Sequence, residues 1–401
     1  MEKNQSIEAL RGVSITLVFL QHVDNLMPTP VWYSSIWQYV TFSYAVDIFL
    51  VISGFLVSAS LDHIVQIGRQ SGVGSGRILF AFLVRRATRL WPAAWLWLAA
   101  GASIFFVFYS NSPEMRNGLL WSTVSAAANV SNFYWAWCVA HDQIGAACPS
   151  ADINSVYWSL SLEEQFYLVL AVGVLWFKAL PVRALAILMI VVQFFLHRHL
   201  FGLAWMLRTD ALLYGFLIFA ASRHPRFLHI LDLIRKRSIA GPIAVSLAII
   251  VIAPAFLMRG GIGLASLASA TLLIVALSDP RGERFPFVAP LSWIGERSYS
   301  IYLCHFPIMA TTVGSLSLVL DGGISVFFII AGLTSFAFSC LAATATLRWI
   351  ECPIQRAGKV WSQKLVEGPS ERARRSFNLY RTRTHGLATV ELRDDNTGYD
   401  R

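Results

Sequence analysis

The strongest constraint on this chain is a series of apolar stretches, each about as long as a bilayer core is thick. Hydropathy marks ten, near 7–26, 43–61, 91–110, 158–177, 184–201, 205–221, 239–257, 261–278, 298–316 and 324–347. About 20 predominantly apolar residues in a helix cross the hydrocarbon region. The pattern therefore predicts an all-α polytopic membrane protein with about ten transmembrane helices. Composition agrees: 56% of the 401 residues are hydrophobic, 14% are charged, and the mean hydropathy is +0.57. The first stretch resembles a secretory signal, but no small-residue cleavage pattern follows it and further spans do, so it is expected to be retained.

An even number of spans places both termini on one side. With the N-terminus in the cytoplasm, all but Arg116, Arg198, Arg208 and Arg259 of the 32 Lys and Arg residues fall on inner segments. That asymmetry predicts cytoplasmic termini in a plasma (inner) membrane. It also accounts for the net charge of +9 without nucleic-acid binding. Residues 1–356 form the expected membrane domain. Residues 357–401, of mixed charge and low hydrophobicity, are expected to be a largely disordered cytoplasmic tail. Cys138 and Cys148 share the long external loop 111–157, where an oxidising compartment permits a disulfide; two free thiols are the alternative. Cys304, Cys340 and Cys352 read as small apolar fillers, and no metal-ligand spacing occurs among the cysteines.

Within this apolar background a few ionisable residues stand out, because burying them in a membrane is costly and usually marks function. The first span, IEALRGVSITLVFLQHV, carries Arg11 and His22. Eleven residues are about three helical turns and 16 Å, so both lie on nearly one face at different depths. In the second span, Asp47 lies at the depth of His22 and is a candidate partner for its imidazole; a helix-packing hydrogen bond is the plainer role. Ser53 and Gly54 are small enough for close helix approach. RRATRLWP places Arg86 and Arg89 on one helix face. They are either topology-setting charge or a clamp for the phosphates of a large anionic cofactor. YWSLSLEEQFYL brings Trp158, Glu163 and Glu164; one acid is a candidate partner for Arg208. A local Arg208–Asp210 pair is the simplest expectation for the sixth span, and Trp158 also fits an interfacial belt. His305, with Tyr299 and Tyr302 nearby, is either a satisfied core histidine or part of a site.

Five segments, LRGVSITLVFLQH (10–22), VDIFLVISGFL (46–56), RRATRLWP (85–92), YWSLSLEEQFYL (157–168) and SYSIYLCHFPI (298–308), occur in the order found in the integral-membrane acyltransferase family 3. The chain resembles that family over about residues 5–356. Phe49-Leu50 stands where the family usually has two phenylalanines, and Leu162 where Val is common; both changes remain apolar. The resemblance implies an O-acyltransferase of surface glycans, nodulation factors or macrolides, with Arg11 and His22 catalytic. It also implies an acyl-CoA donor, acetyl-CoA in most members, held from the cytoplasm by Arg86 and Arg89. Ser53 is a further candidate for donor binding, and no metal is expected. Glu163, Glu164, Trp158, Arg208 and His305 are then acceptor-side or structural. Many relatives add an extracytoplasmic esterase-like domain for which this chain is too short, so the membrane unit is expected to act alone or with a separate partner.

The expected mechanism has His22, oriented by Asp47, taking the proton of an acceptor hydroxyl as it attacks the thioester carbonyl. A path for the thioester arm should join His22 to Arg86 and Arg89. Partners are membrane lipids and a glycan or lipid-linked saccharide. No nucleophilic Ser or Cys lies beside a base, which favours direct transfer. A multi-spanning solute transporter is the alternative; paired broken spans or inverted repeats would favour it.

Overall fold

In the computed structural model, residues 4–108, 113–141, 148, 153–256, 260–320 and 323–367 are described. They form sixteen α-helices: α1 Gln5–Leu26, α2 Val31–Ser34, α3 Val46–Gln70, α4 Ser75–Phe108, α5 Pro113–Ala127, α6 Ser131–Ala140, α7 Tyr157–Trp176, α8 Ala179–Phe195, α9 Leu203–Met206, α10 Asp210–Ser222, α11 Pro225–Arg235, α12 Ala240–Phe256, α13 Gly261–Ser278, α14 Val288–Leu316, α15 Ile324–Thr346 and α16 Cys352–Val366. A π-helical turn, Leu347–Glu351, joins the last two. Asn4 starts α1 by accepting a hydrogen bond from the Ile7 amide at 3.0 Å, one of the donors a helix N-terminus otherwise leaves unpaired.

Each of the ten apolar stretches is largely helical, but they are not ten equivalent spans. Among the described residues, five segments are long and apolar enough to cross a membrane: Ser43–Gln70, Ser75–Val107, Leu203–Ser222, Gly261–Ser278 and Ile324–Val366. The pair α11 and α12 makes a sixth if their 104° bend lies within one span. The shortfall has a physical cause. Helix α8 is 17 residues long, while α1, α7 and α14 carry the ionisable side chains Arg11, His22, Glu163, Glu164, Glu296 and His305, which dilute their apolar character. These polar helices are packed inside the bundle, where α1 runs along α14 and both neighbour α3 or α4.

The outside of the bundle is what a membrane requires. On α8 only Ala186 and Ile190 are buried, and Leu180, Leu188 and Phe195 are exposed. An apolar surface of that extent is lipid-facing rather than water-facing. This is a helical membrane protein.

Close helix contacts rest on missing side chains. A Cβ on Gly12 would run into the Leu291 carbonyl, and one on Gly295 into the Glu8 carbonyl, so α1 and α14 approach backbone to backbone. Gly54 against Leu212, and Gly215 against Val51, seat α3 on α10 in the same way. The expected role of Gly54 in helix approach thus has a definite partner. Gly295→Val should push α14 off α1 and destabilise the protein by at least about 1–3 kcal/mol, read as a lower unfolding temperature in detergent.

Cys138 and Cys148 are joined in a disulfide; Cys304, Cys340 and Cys352 are free. The first part of the segment expected to be disordered is helical instead. Residues 352–366 form α16, an amphipathic helix docked on α4 that buries Gly358, Ser362 and Val366. Residues 368–401 lie outside the described residues, as does Arg259.

Candidate active site

Helices α1, α3, α4, α7 and α14, with the π-helical turn, enclose a cavity of about 230 Å³, somewhat smaller than the usual range for pockets that hold drug-sized ligands. Three guanidinium groups from two helices line it: Arg11 of α1 and Arg86 and Arg89 of α4. Ser53, Glu163, Tyr167, Tyr299, Tyr302 and Glu351 complete much of the polar wall. The sequence spacing of Arg86 and Arg89 is thus realised as one face turned to one space.

The charges there are unequally satisfied. Arg11 pairs with Glu8 at 3.2 Å, one turn away on its own helix. Arg86 is almost fully buried, with its guanidinium 5.6 Å from the Phe82 ring centroid and 5.7 Å from that of Tyr167. Its Nε has no hydrogen-bond partner among the described residues. A cation held by ring faces keeps its charge available to an anion in the cavity. Glu163 is held differently, accepting from Ser53 Oγ at 2.9 Å and from Tyr167 OH at 2.5 Å. Glu164 points elsewhere and accepts from Trp91 Nε1 at 2.7 and 2.9 Å. Glu351, placed by the π-helical turn, accepts from Ser300 Oγ. Neither acid of α7 meets Arg208, contrary to expectation.

The cavity stops short of His22. Its lining ends at Tyr302 and Ser159, whose hydroxyls are 2.7 Å apart, and Tyr302 also donates to the Val156 carbonyl at 2.8 Å. Beyond Tyr302, one turn along α14, His305 is completely buried. His305 Nε2 lies 3.0 Å from His22 Nδ1, and its Nδ1 lies 2.7 Å from the Tyr302 carbonyl. His22 is partly exposed and rests against Phe306, with ring centroids 5.0 Å apart. The cavity that holds the three arginines therefore does not reach His22, contrary to the continuous path expected between them.

Asp47 is not the partner of His22. Its Oδ1 lies 3.4 Å from Arg208 Nη2, and its Oδ2 accepts from Ser266 Oγ at 2.8 Å. Arg208 is completely buried, caged by the rings of Tyr44, Trp158 and Trp205 at 5.0, 4.9 and 4.2 Å. The expected local pair with Asp210 is likewise replaced: Asp210 pairs with Arg198 at 2.7 Å. The reason is position on the helix. Asp47 and Asp210 each sit in the first turn of a helix, where the positive end of the dipole favours a carboxylate. The tight α3–α10 contact brings the arginine just before α10 onto the start of α3.

Of the residues singled out from sequence, Arg11, Ser53, Arg86, Arg89 and Glu163 meet in the cavity, and His22 and His305 form a pair at its far end. Asp47, Arg208 and Trp158 form a separate buried cluster, and Glu164 sits against Trp91. Sequence reasoning missed Tyr167, Ser159 and Glu351 as wall residues. The only available signal was their helical spacing from residues already noted, Tyr167 one turn from Glu163. Among the described residues no group of three or more His, Cys, Asp or Glu side chains is placed to hold a metal ion.

A model of the acyltransferase domain matches residues 4–344. Peptidoglycan O-acetyltransferase OatA of Listeria monocytogenes is 27% identical over 392 aligned residues, covering 88% of this chain and 56% of that protein. O-acetyltransferase OatA of Staphylococcus aureus is 30% identical over 346, covering 78% and 52%. The putative peptidoglycan O-acetyltransferase YrhL of Bacillus subtilis is 26% identical over 351, covering 78% and 50%. The chain thus spans about half the length of the curated relatives it matches, and no solved structure matches it. A family match over most of its length, on a helical membrane fold that brings residues from all five motif segments to one cavity, makes this chain a member of the integral-membrane acyltransferase family 3.

Proposed function

We propose that the protein is an O-acetyltransferase that moves an acetyl group from cytosolic acetyl-CoA to a hydroxyl of a cell-envelope glycan of the peptidoglycan class, with His22 as general base. The observation that carries this reading is the polarity of the site: three arginines around one cavity, and a histidine pair just past its far end. Guanidinium groups suit the phosphates of the donor, and the narrow cavity suits its extended thiol arm. The names of the relatives supply the glycan class.

The disulfide supports a sidedness for the site. Cys138–Cys148 requires an oxidising compartment, which argues that α5 and α6 lie outside the cytoplasm. Arg86 and Arg89 fall in the first half of α4, far from that region, and so face the cytosol. His22, about 16 Å further along α1 than Arg11, then faces outward, and both termini are cytoplasmic. The cavity does not include His22, so the acetyl end must pass beyond its wall, on the side of Tyr302 and Ser159, to be attacked.

Membranes containing the protein, given acetyl-CoA labelled in the acetyl group and glycan acceptor, should release free CoA and label the glycan. Labelled glycan absent while solute crosses sealed vesicles without CoA release would replace this reading with a transporter. Arg89→Ala should raise the KM for acetyl-CoA by about 10- to 100-fold with kcat little changed, the loss of one charge-assisted contact.

A further inference from the structure

His305 has no place in the donor site, yet its surroundings determine which nitrogen of His22 is able to act. Its Nδ1 faces only carbonyl oxygens, Tyr302 O at 2.7 Å and Ile301 O at 3.2 Å. Carbonyls accept and never donate, so Nδ1 carries a proton. A neutral imidazole has a single N–H, which leaves His305 Nε2 with a lone pair. That lone pair lies 3.0 Å from His22 Nδ1, with the two ring planes inclined at 28°. His22 Nδ1 must then be the donor. The one proton of neutral His22 is therefore on Nδ1, and its Nε2 is bare.

We infer that His305 is a positioning residue: it holds His22 in the tautomer and orientation that present Nε2 as the proton acceptor. It fills the place for which the sequence offers Asp47, an acid engaged by Arg208 and Ser266 instead. This inference rests on His22 being the base, and the step balances as follows. The acceptor O–H proton passes to His22 Nε2 as the acceptor oxygen bonds to the acetyl carbonyl carbon. The C–S bond then breaks, and the departing thiolate takes the proton from Nε2. In between, the His22 Nδ1–H bond to His305 becomes charge-assisted and stronger. The proton goes no further than the pair, because the carbonyls beyond His305 Nδ1 stabilise an N–H but do not take up its proton.

Two amide substitutions separate positioning from packing. In His305→Asn the side-chain amide reaches the site of Nδ1 and keeps the bond to the Tyr302 carbonyl, but nothing remains at the site of Nε2. In His305→Gln an amide oxygen extends toward His22 Nδ1. Initial rates of acetyl transfer are measured in membranes over a range of acetyl-CoA, alongside His22→Ala, with folded protein quantified by monodisperse yield in detergent. Per folded molecule, His305→Asn should lose about 10²-fold or more in kcat with the KM for acetyl-CoA unchanged, as expected of a base with the wrong tautomer. His305→Gln should recover at least about tenfold of that loss. Near-native kcat in His305→Asn, or equal losses in both variants, overturns the inference, and background transfer in His22→Ala would show that the base assignment survives that failure. Native transfer in His22→Ala would instead remove the base itself.

Discussion

His22→Ala is expected to abolish acetyl transfer in membranes, by about 10²- to 10⁴-fold for the lost proton acceptor alone. Donor binding should survive, because the cavity lined by Arg11, Arg86 and Arg89 does not include His22. The two effects are separable. Acetyl-CoA should still protect the variant against thermal unfolding, while labelled acetyl no longer reaches the glycan. Structure should survive too: His22 is partly exposed, and the α1–α14 contact rests on Gly12 and Gly295, about three to four turns away along α1. Transfer at the native rate would exclude His22 from the chemistry.

Asp47→Ala is expected to damage the fold rather than the chemistry. It leaves Arg208, completely buried between three aromatic rings, without its counter-ion. Breaking a buried pair from one side costs about 3–5 kcal/mol, because a charge remains with nothing to balance it. Asp47→Leu combined with Arg208→Met should restore most of the loss, since removing both charges leaves apolar groups among apolar groups. Unfolding temperatures of the single and double variants in detergent measure this directly. The same experiment distinguishes the two roles that Asp47 has been given. Were it the orienter of His22, Asp47→Asn would cut kcat with stability intact, whereas the ion pair predicts lost stability and, in the folded fraction, near-native kcat.

Much of this was legible in the one-dimensional order of residues. Apolar runs of bilayer length announced helices in a membrane, and ionisable residues inside those runs announced a site, because each is costly there without a purpose. Spacing along single helices also held: Arg86 and Arg89 share the face that a three-residue step predicts. What failed were the partners expected for the buried charges. Depth points Asp47 to His22, and proximity in sequence points Arg208 to Asp210, but Asp47 pairs with Arg208 and Asp210 with Arg198.

Length, polarity and depth are properties a helix has alone, and the sequence by itself determined them: a helical membrane protein, with arginines near one level and His22 at another. Which residue faces which depends on helix rotation and on the neighbour each face meets. Only the tertiary structure decided that, through glycine contacts that set α1 against α14 and α3 against α10. The first contact gives His22 a histidine, and the second gives Asp47 an arginine.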